Sequence, residues 1–336
     1  MSQRSGVPWG KRALTFSLGT SLVVVMVSHG VAAKALGTVA LCLGGFEYSD
    51  MVSSVVAAVR GSPVQKIEGR RHGQMVLILS TLAICLGGWL HGRPSAGFLL
   101  TVMAALLADF AGHLLSAVSS QQPQQPPGGQ KSGGTKGEGG SELPGGSGSA
   151  SLAVSVCLTL TIRTGLDAVY LLQYVTCLIY GLFLLDRDKG VAILWLAVSW
   201  MSDTGALIAG RLFGRVPLAP TISPAKSCEG VAGAFVFGLL TAYIIFLLRE
   251  SGHGAFSILP GLGLGHSLAL AFLVTIMGVV GDLLESALKR SAGVKDASKL
   301  LPGHGGVLDR LDSLTLSAPF VFTYASAVLD GTFPIF

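Results

Sequence analysis

The sequence contains no asparagine. It therefore has no N-x-S/T glycosylation acceptor, and any polar chemistry falls to Asp, Glu, His, Ser, Thr, Lys and Arg. Charge is scarce as well: 12% of the 336 residues are Asp, Glu, Lys or Arg, where a soluble domain carries roughly 25%. With 50% apolar residues and a mean hydropathy of +0.64, that scarcity excludes an ordinary soluble globule. It also excludes intrinsic disorder over the whole chain, which requires low hydrophobicity and high charge. The excess of 23 Lys and Arg over 18 Asp and Glu is too small and too diffuse to point to nucleic acid. The five cysteines (Cys42, Cys85, Cys157, Cys177, Cys228) show no C-x-x-C spacing, and four of them lie in apolar runs. They read as small packing residues rather than metal ligands or disulfides. The N-terminus lacks a clean signal-peptide cleavage pattern, and no internal repeat stands out.

What is present is a series of apolar segments long enough to cross a bilayer, each needing about 20 residues. They lie near residues 13–31, 33–50, 74–90, 96–118, 167–185, 191–209, 231–248, 267–284 and 314–331. The fold class expected is all-α, a polytopic integral membrane helical bundle of about nine transmembrane helices. The second span is the weakest, because Lys34, Glu47 and Asp50 sit at or near its ends. The short apolar stretch 151–164, with Arg163, is either a surface helix or part of a longer fifth span. With nine spans, most basic residues fall on one side, including Arg211, Arg215, Lys226, Lys289, Arg290, Lys295, Lys299 and Arg310. The positive-inside rule makes that the cytosolic or equivalent face.

Residues 119–150 are rich in Gly, Ser, Pro and Gln and have almost nothing to bury, which predicts a flexible tether. It divides the chain into an N-terminal membrane part (1–118, about four helices) and a C-terminal one (151–336, about five helices, with polar loops at 210–230 and 285–313).

The C-terminal part holds the unusual residues. Asp203, in Ser202-Asp203-Thr204-Gly205-Ala206, is a carboxylate inside an apolar span, costly unless it is hydrated, paired or bound to a cation. The loop that follows carries Gly210-Arg211 and then Ser223-Pro224-Ala225-Lys226. Its glycines, prolines, hydroxyls and cations suit phosphate, with an interfacial loop carrying positive-inside charges as the alternative reading of the same composition. It is not a Walker A loop, since Ala225 stands where a glycine belongs. The densest cluster is 281–312, with five of the chain's 23 basic and five of its 18 acidic residues. Asp282 and Glu285 share a helical face, with Lys289 and Arg290 about one turn beyond Glu285. His304-Gly305-Gly306 would let backbone amides approach an anion. Asp309 and Asp312 share a face where another helix begins. Two carboxylate pairs beside cations match what Mg²⁺ and a polyphosphate need.

From Ser286 to Asp312 the sequence meets the pattern S-x-[LIVMF]-K-R-x(4)-K-D-x-[GSA]-x(2)-[LIF]-[PG]-x-H-G-G-[LIVMF]-x-D-R-[LIVMFT]-D without exception. In this it resembles the phosphatidate cytidylyltransferase (CDP-diacylglycerol synthase) family of bacterial and organelle type. The elements Ser202–Ala206, Gly210-Arg211, Leu218-Ala219-Pro220 and Ser223-Pro224-x-Lys226 are similar to family motifs in the same order. Resemblance is clear over about 165–330. It is faint before that, where Arg12 and Glu47 look similar to family positions. Ser227-Cys228 departs from a commoner Thr-Trp, which touches only local packing.

The resemblance implies that CTP and phosphatidate give CDP-diacylglycerol and pyrophosphate on the cytosolic or equivalent face, within the lipid bilayer, with no nucleic acid involved. It implies Mg²⁺, with a second cation such as K⁺ left open, held by Asp282 and Asp309, with Asp312 and Asp203 as further ligands. Lys226, Lys289 and Arg290 would clamp phosphates. Ser223, the His304-Gly305-Gly306 turn and Arg310 would help bind substrate, His304 being equally readable as structural. A homodimer through the N-terminal spans is in keeping with the family. Two other classes fit parts of the pattern: a CTP-dependent polyprenol or phytol kinase, and a transporter with carboxylates at membrane depth.

Overall fold

The structure, a computed structural model, describes residues 30–60, 70–91, 95–119, 147–298, 300 and 305–331. Among them seven helices are long and apolar enough to cross a membrane, so the protein is a multi-pass, all-α membrane protein. Helix α1 spans Gly30–Arg60, α2 Arg70–His91, α3 Ala96–Ser119 and α4 Ser147–Val169. A π-helical segment, Tyr170–Thr176, joins α4 to α5, Cys177–Arg187. Then come α6 (Lys189–Phe213), α7 (Cys228–Glu250), α8 (Leu264–Ser291), α9 (Leu308–Thr315) and α10 (Ala318–Leu329).

Seven of the nine expected spans coincide with these helices. The first, 13–31, lies almost wholly outside the described residues, as does most of the tether at 119–150. Residues 151–164 form part of a longer fifth span, because the π segment carries the helix on from α4 into α5. There the hydroxyl of Thr176 donates to the carbonyl of Leu171, five residues back, at 2.8 Å, an added-residue geometry often found at functional positions. The expected span 314–331 is two helices, α9 and α10, with Leu316 and Ser317 between them.

Several hydroxyls inside the bundle are satisfied by their own helices. Thr38, Ser53, Thr81, Ser199 and Thr241 each donate to the carbonyl four residues back, which removes the cost of a bare donor in hydrocarbon. Glycine sets a close backbone contact between α6 and α7. A Cβ on Gly233 of α7 would come within 2.7 Å of the Gly205 carbonyl of α6, and one on Gly230 within 3.1 Å of the Ala206 carbonyl. Small residues facing each other let the two backbones touch, as membrane helices without a hydrophobic drive require.

Two apolar cores result. One packs α5, α6, α8 and α10 around Trp195, Val198, Leu270 and Val321. The other joins α1, α2, α3 and the π segment around Tyr48, Phe98, Tyr170 and Tyr174, and it takes in Leu308 of α9. Ion pairs Lys34–Asp186 (2.8 Å) and Arg187–Asp330 (2.5 Å) mark one end of the bundle. The polar loops after α6 and α8 lie at the other.

Candidate active site

The loop after α6 is shaped by its own hydrogen bonds. Strand β1 (Pro217–Ala219) pairs antiparallel with β2 (Ser223–Ser227), Pro217 opposite Ser227 and Ala219 opposite Ser223. The Ser227 hydroxyl caps α7 by accepting from the Gly230 amide at 3.1 Å. The Glu229 carboxylate, in the first turn where the helix dipole favours an anion, accepts from the amides of Arg215 (3.1 Å) and Val216 (3.3 Å). The Arg290 Nε donates to the Ile222 carbonyl at 3.1 Å, fixing the hairpin tip to the end of α8. That helix closes on Gly293 at φ +71°, with the Val294 amide bonded back to the Lys289 carbonyl at 2.9 Å. This is a C-terminal stop that favours glycine.

Between α6, α7, α8 and the hairpin lies a cavity of about 360 Å³, within the usual size range of small-molecule sites. Its polar floor is the Ser202–Thr275 hydroxyl pair at 2.9 Å. Asp203, Ser223, Lys226, Asp282 and Ser313 are among the other polar residues that line it. Lys226 Nζ lies 2.5 Å from Asp282 Oδ2, and the Ser313 hydroxyl donates to Asp203 Oδ2 at 3.0 Å. The cavity is lined by α6, α7 and α8, with Ser313 of α9 completing one side.

Beside the cavity a second charged group holds the signature loop. Lys289 Nζ lies 2.7 Å from Asp309 Oδ1 and 3.3 Å from Glu285 Oε2. Asp309 Oδ2 accepts from the amides of Gly306 (2.7 Å) and Ala297 (3.0 Å). Burial works to raise the Asp309 carboxyl, but the Lys289 ammonium and the two amides outweigh it and hold the group below its ordinary value. Asp312 is held above its ordinary value by burial, with the nearby Asp282 charge adding to it. The backbone of Gly281 lies directly against the Asp312 carbonyl, leaving no room for a Cβ, and this contact joins α8 to α9.

The structure thus brings Asp203, Ser223, Lys226 and Asp282 to one cavity and sets Asp312 at its edge. It places Lys289 and Asp309 in the loop-holding group and Arg290 on the hairpin. Gly305 adopts φ +82°, the left-handed turn that favours glycine. The Gly306 amide, expected to face an anion, is taken by Asp309. Arg310 is exposed, and His304 lies outside the described residues. Ser313 and Thr275 had no signal in the sequence beyond being hydroxyls. Asp109, His113 and Asp167, all buried, bring their ligand atoms within 4.8 Å of one another and could hold a metal ion. They sit on α3 and α4 rather than at the cavity, and Arg163 interacts with both carboxylates.

The donor set at the cavity suits Mg²⁺. Asp203 interacts with Asp282 and Asp312, and Lys226 is the cation among them. The result is a net-negative group of hard oxygens, which Mg²⁺ prefers, with an ammonium already seated on one of them.

Fold and site together define a multi-pass membrane protein with a charged cavity at one end of its bundle, walled by three spans and a two-stranded hairpin. The model of the cytidylyltransferase family matches residues 11–328, and the chain belongs to that family. A phosphatidate cytidylyltransferase of Haemophilus influenzae is 43% identical over 125 residues, covering 37% of this chain and 41% of the relative. One of Pseudomonas aeruginosa is 44% identical over 142 residues (41% and 49%). One of Thermotoga maritima is 42% identical over 162 residues (48% and 58%). The matched stretches span about half the length of these curated relatives.

Proposed function

We propose that the protein is a phosphatidate cytidylyltransferase, making CDP-diacylglycerol and pyrophosphate from CTP and phosphatidate. The observation that carries this reading is the Lys226–Asp282 pair at the cavity, with the Lys289–Asp309 pair of the signature stretch one to two turns further along α8. An oxygen of the lipid phosphate attacks the α-phosphorus of CTP, and the bond from that phosphorus to the bridging oxygen breaks as pyrophosphate leaves. The lipid phosphate is already anionic near neutral pH, so no serine or cysteine nucleophile is needed. The demands are alignment of two anions and neutralisation of their charge.

Asp282, with Asp203 and Asp312, would hold Mg²⁺, and Asp309 is a fourth candidate, although three donors already engage it. When bound, the ion supplies neutralisation of phosphate oxygens. Lys226 exchanges Asp282 for a phosphate oxygen when CTP enters. Ser223, at the start of the same strand, offers a hydroxyl to the same ligand. Lys289 and Arg290 act mainly through the loop and the hairpin they hold. The lipid reaches the cavity sideways from the bilayer between spans, and CTP arrives from the basic face, cytosolic or its organelle equivalent. The two membrane parts flanking 119–150 work as one unit, with catalysis in the second.

The test is a product assay on purified protein with CTP, phosphatidate and Mg²⁺. CDP-diacylglycerol and pyrophosphate are expected in equal amounts. Release of CDP with a phosphorylated lipid would instead identify a CTP-dependent lipid kinase, and absence of any CTP-derived product would sink both.

A further inference from the structure

Helix α9 carries Asp309 and Asp312, yet it is eight residues long and has no side-chain cap of its own; its N-cap residue is Val307. The first amides of a helix have no partner inside it. Here the partner comes from the other half of the chain. Glu47, in α1 and only 6% exposed, accepts from the Leu308 amide at Oε2 (3.1 Å) and from the Val307 amide at Oε1 (3.0 Å). The same Oε1 accepts from the Ser298 hydroxyl at 2.6 Å. Gly306 lies flat against the carboxylate, where a Cβ would come within 2.6 Å of Oε2. Leu308 is fully buried in the N-terminal core, seated on Gly44, where a Cβ would stand 3.0 Å from its Cδ2.

Two carboxylates therefore hold three consecutive amides. Asp309 takes Gly306, and Glu47 takes Val307 and Leu308. An anion at a helix N-terminus is favoured by the helix dipole as well as by the hydrogen bonds. No other acidic side chain is hydrogen-bonded to these two amides among the described residues. Loop 297–308 thus has its far end tied to α1, while Asp309 and Lys289 tie its near side to α8.

We infer that Glu47 is a positioning residue for nucleotidyl transfer: it anchors the signature loop and the start of α9, setting where Asp309 and Asp312 stand relative to Asp282. This rests on the cytidylyltransferase reading above. It gives the N-terminal membrane part a role in the reaction, since a C-terminal part alone would lack this cap.

The experiment uses full-length protein in lipid nanodiscs, as wild type, Glu47→Gln and Ser298→Ala. Turnover, KM for CTP, thermal unfolding and hydrogen exchange of the 297–308 backbone are measured for each. Glu47→Gln keeps the shape but offers one carbonyl oxygen to three donors. The expected result is a loss of turnover of about tenfold or more, with KM for CTP changed less than about threefold and faster exchange confined to 297–308. Ser298→Ala, which removes one donor, should show the same pattern more weakly. A merely structural role would lower the unfolding temperature without splitting kcat from KM. Wild-type turnover in a folded Glu47→Gln protein overturns the positioning role, and so does unchanged exchange at Val307 and Leu308. If the wild type makes no CDP-diacylglycerol, the functional reading fails, and the exchange measurement alone decides whether Glu47 anchors the loop.

Discussion

Lys226 and Asp282 meet at 2.5 Å across the cavity, one from the hairpin and the other from α8. Both partners are partly solvent-accessible, so the pair contributes little to stability. On the proposed reading its use is in exchange: an incoming polyphosphate would offer the ammonium a stronger anion and leave the carboxylate for a cation. Replacing Lys226 with Gln should therefore raise the CTP concentration for half-maximal rate by about tenfold or more, at the lower end of what a hydrogen bond to a charged group is worth. A CTP titration on purified protein checks this, and an unchanged curve would remove Lys226 from the site.

Asp282 itself should be indispensable. Asp282→Ala leaves Lys226 without its partner and the cavity without its best-placed oxygen donor, so CDP-diacylglycerol formation is expected to fall below about 1% of wild type while membrane insertion is unaffected. Chelating divalent cations should stop the wild-type enzyme, and adding Mg²⁺ should restore it. Wild-type turnover by the variant, or in excess chelator, would count against a carboxylate-held cation.

The pH dependence of the signature loop follows from Asp309. Its carboxyl is held below its ordinary value of 3.8, so the unfolded chain takes up the proton first as pH falls. The stabilising contribution is complete above 3.8 and is lost as pH drops through the lower folded value. Asp309→Asn should thus lower the unfolding temperature at neutral pH, with the gap to wild type closing below about pH 4. Melting curves of both proteins across pH 3 to 7 read this directly, and a gap that widened toward acid would reverse the assignment.

Much of this was legible in the sequence for a physical reason. Residues 286–312 form one continuous stretch, so its Lys, Asp and Gly spacing shows in one dimension what the loop does in three. Gly205 and Gly233, which let the backbones of α6 and α7 touch, are plain in the sequence, but that they face each other is not. Long-range contacts were not legible. The cap that Glu47 provides bridges 260 positions to Val307, and the Ser313–Asp203 hydrogen bond bridges 110. Neither serine nor glutamate is unusual enough alone to announce a partner. Arg163 was visible as a charge in an apolar run, but its company of Asp109, His113 and Asp167 depended on how α3 packs on α4. The break at Leu316 and Ser317 was hidden because apolar composition continues through it, while local geometry rather than hydropathy divides the helix.

The contact between Gly281 and the Asp312 carbonyl sets the distance between the cavity and the signature helix, and it leaves no space for a methyl group. The obstacle is backbone rather than a flexible side chain, so the neighbour cannot rotate away. Gly281→Ala must either push α9 outward or bend α8, and overpacking of this kind costs about 1–3 kcal/mol. Any outward shift carries Asp312 away from Asp282 and loosens the seat of Lys289 against Asp309. Turnover should fall at least tenfold while the protein still inserts and folds, with a drop of several degrees in unfolding temperature. At Gly278, one turn earlier, an added Cβ would stand 3.3 Å from its nearest neighbour, the Ser313 carbonyl, so Gly278→Ala should be milder on both counts. Measuring the two variants side by side tests whether proximity to Asp312 governs the loss: equal effects would show that α8 tolerates or rejects a methyl irrespective of the site.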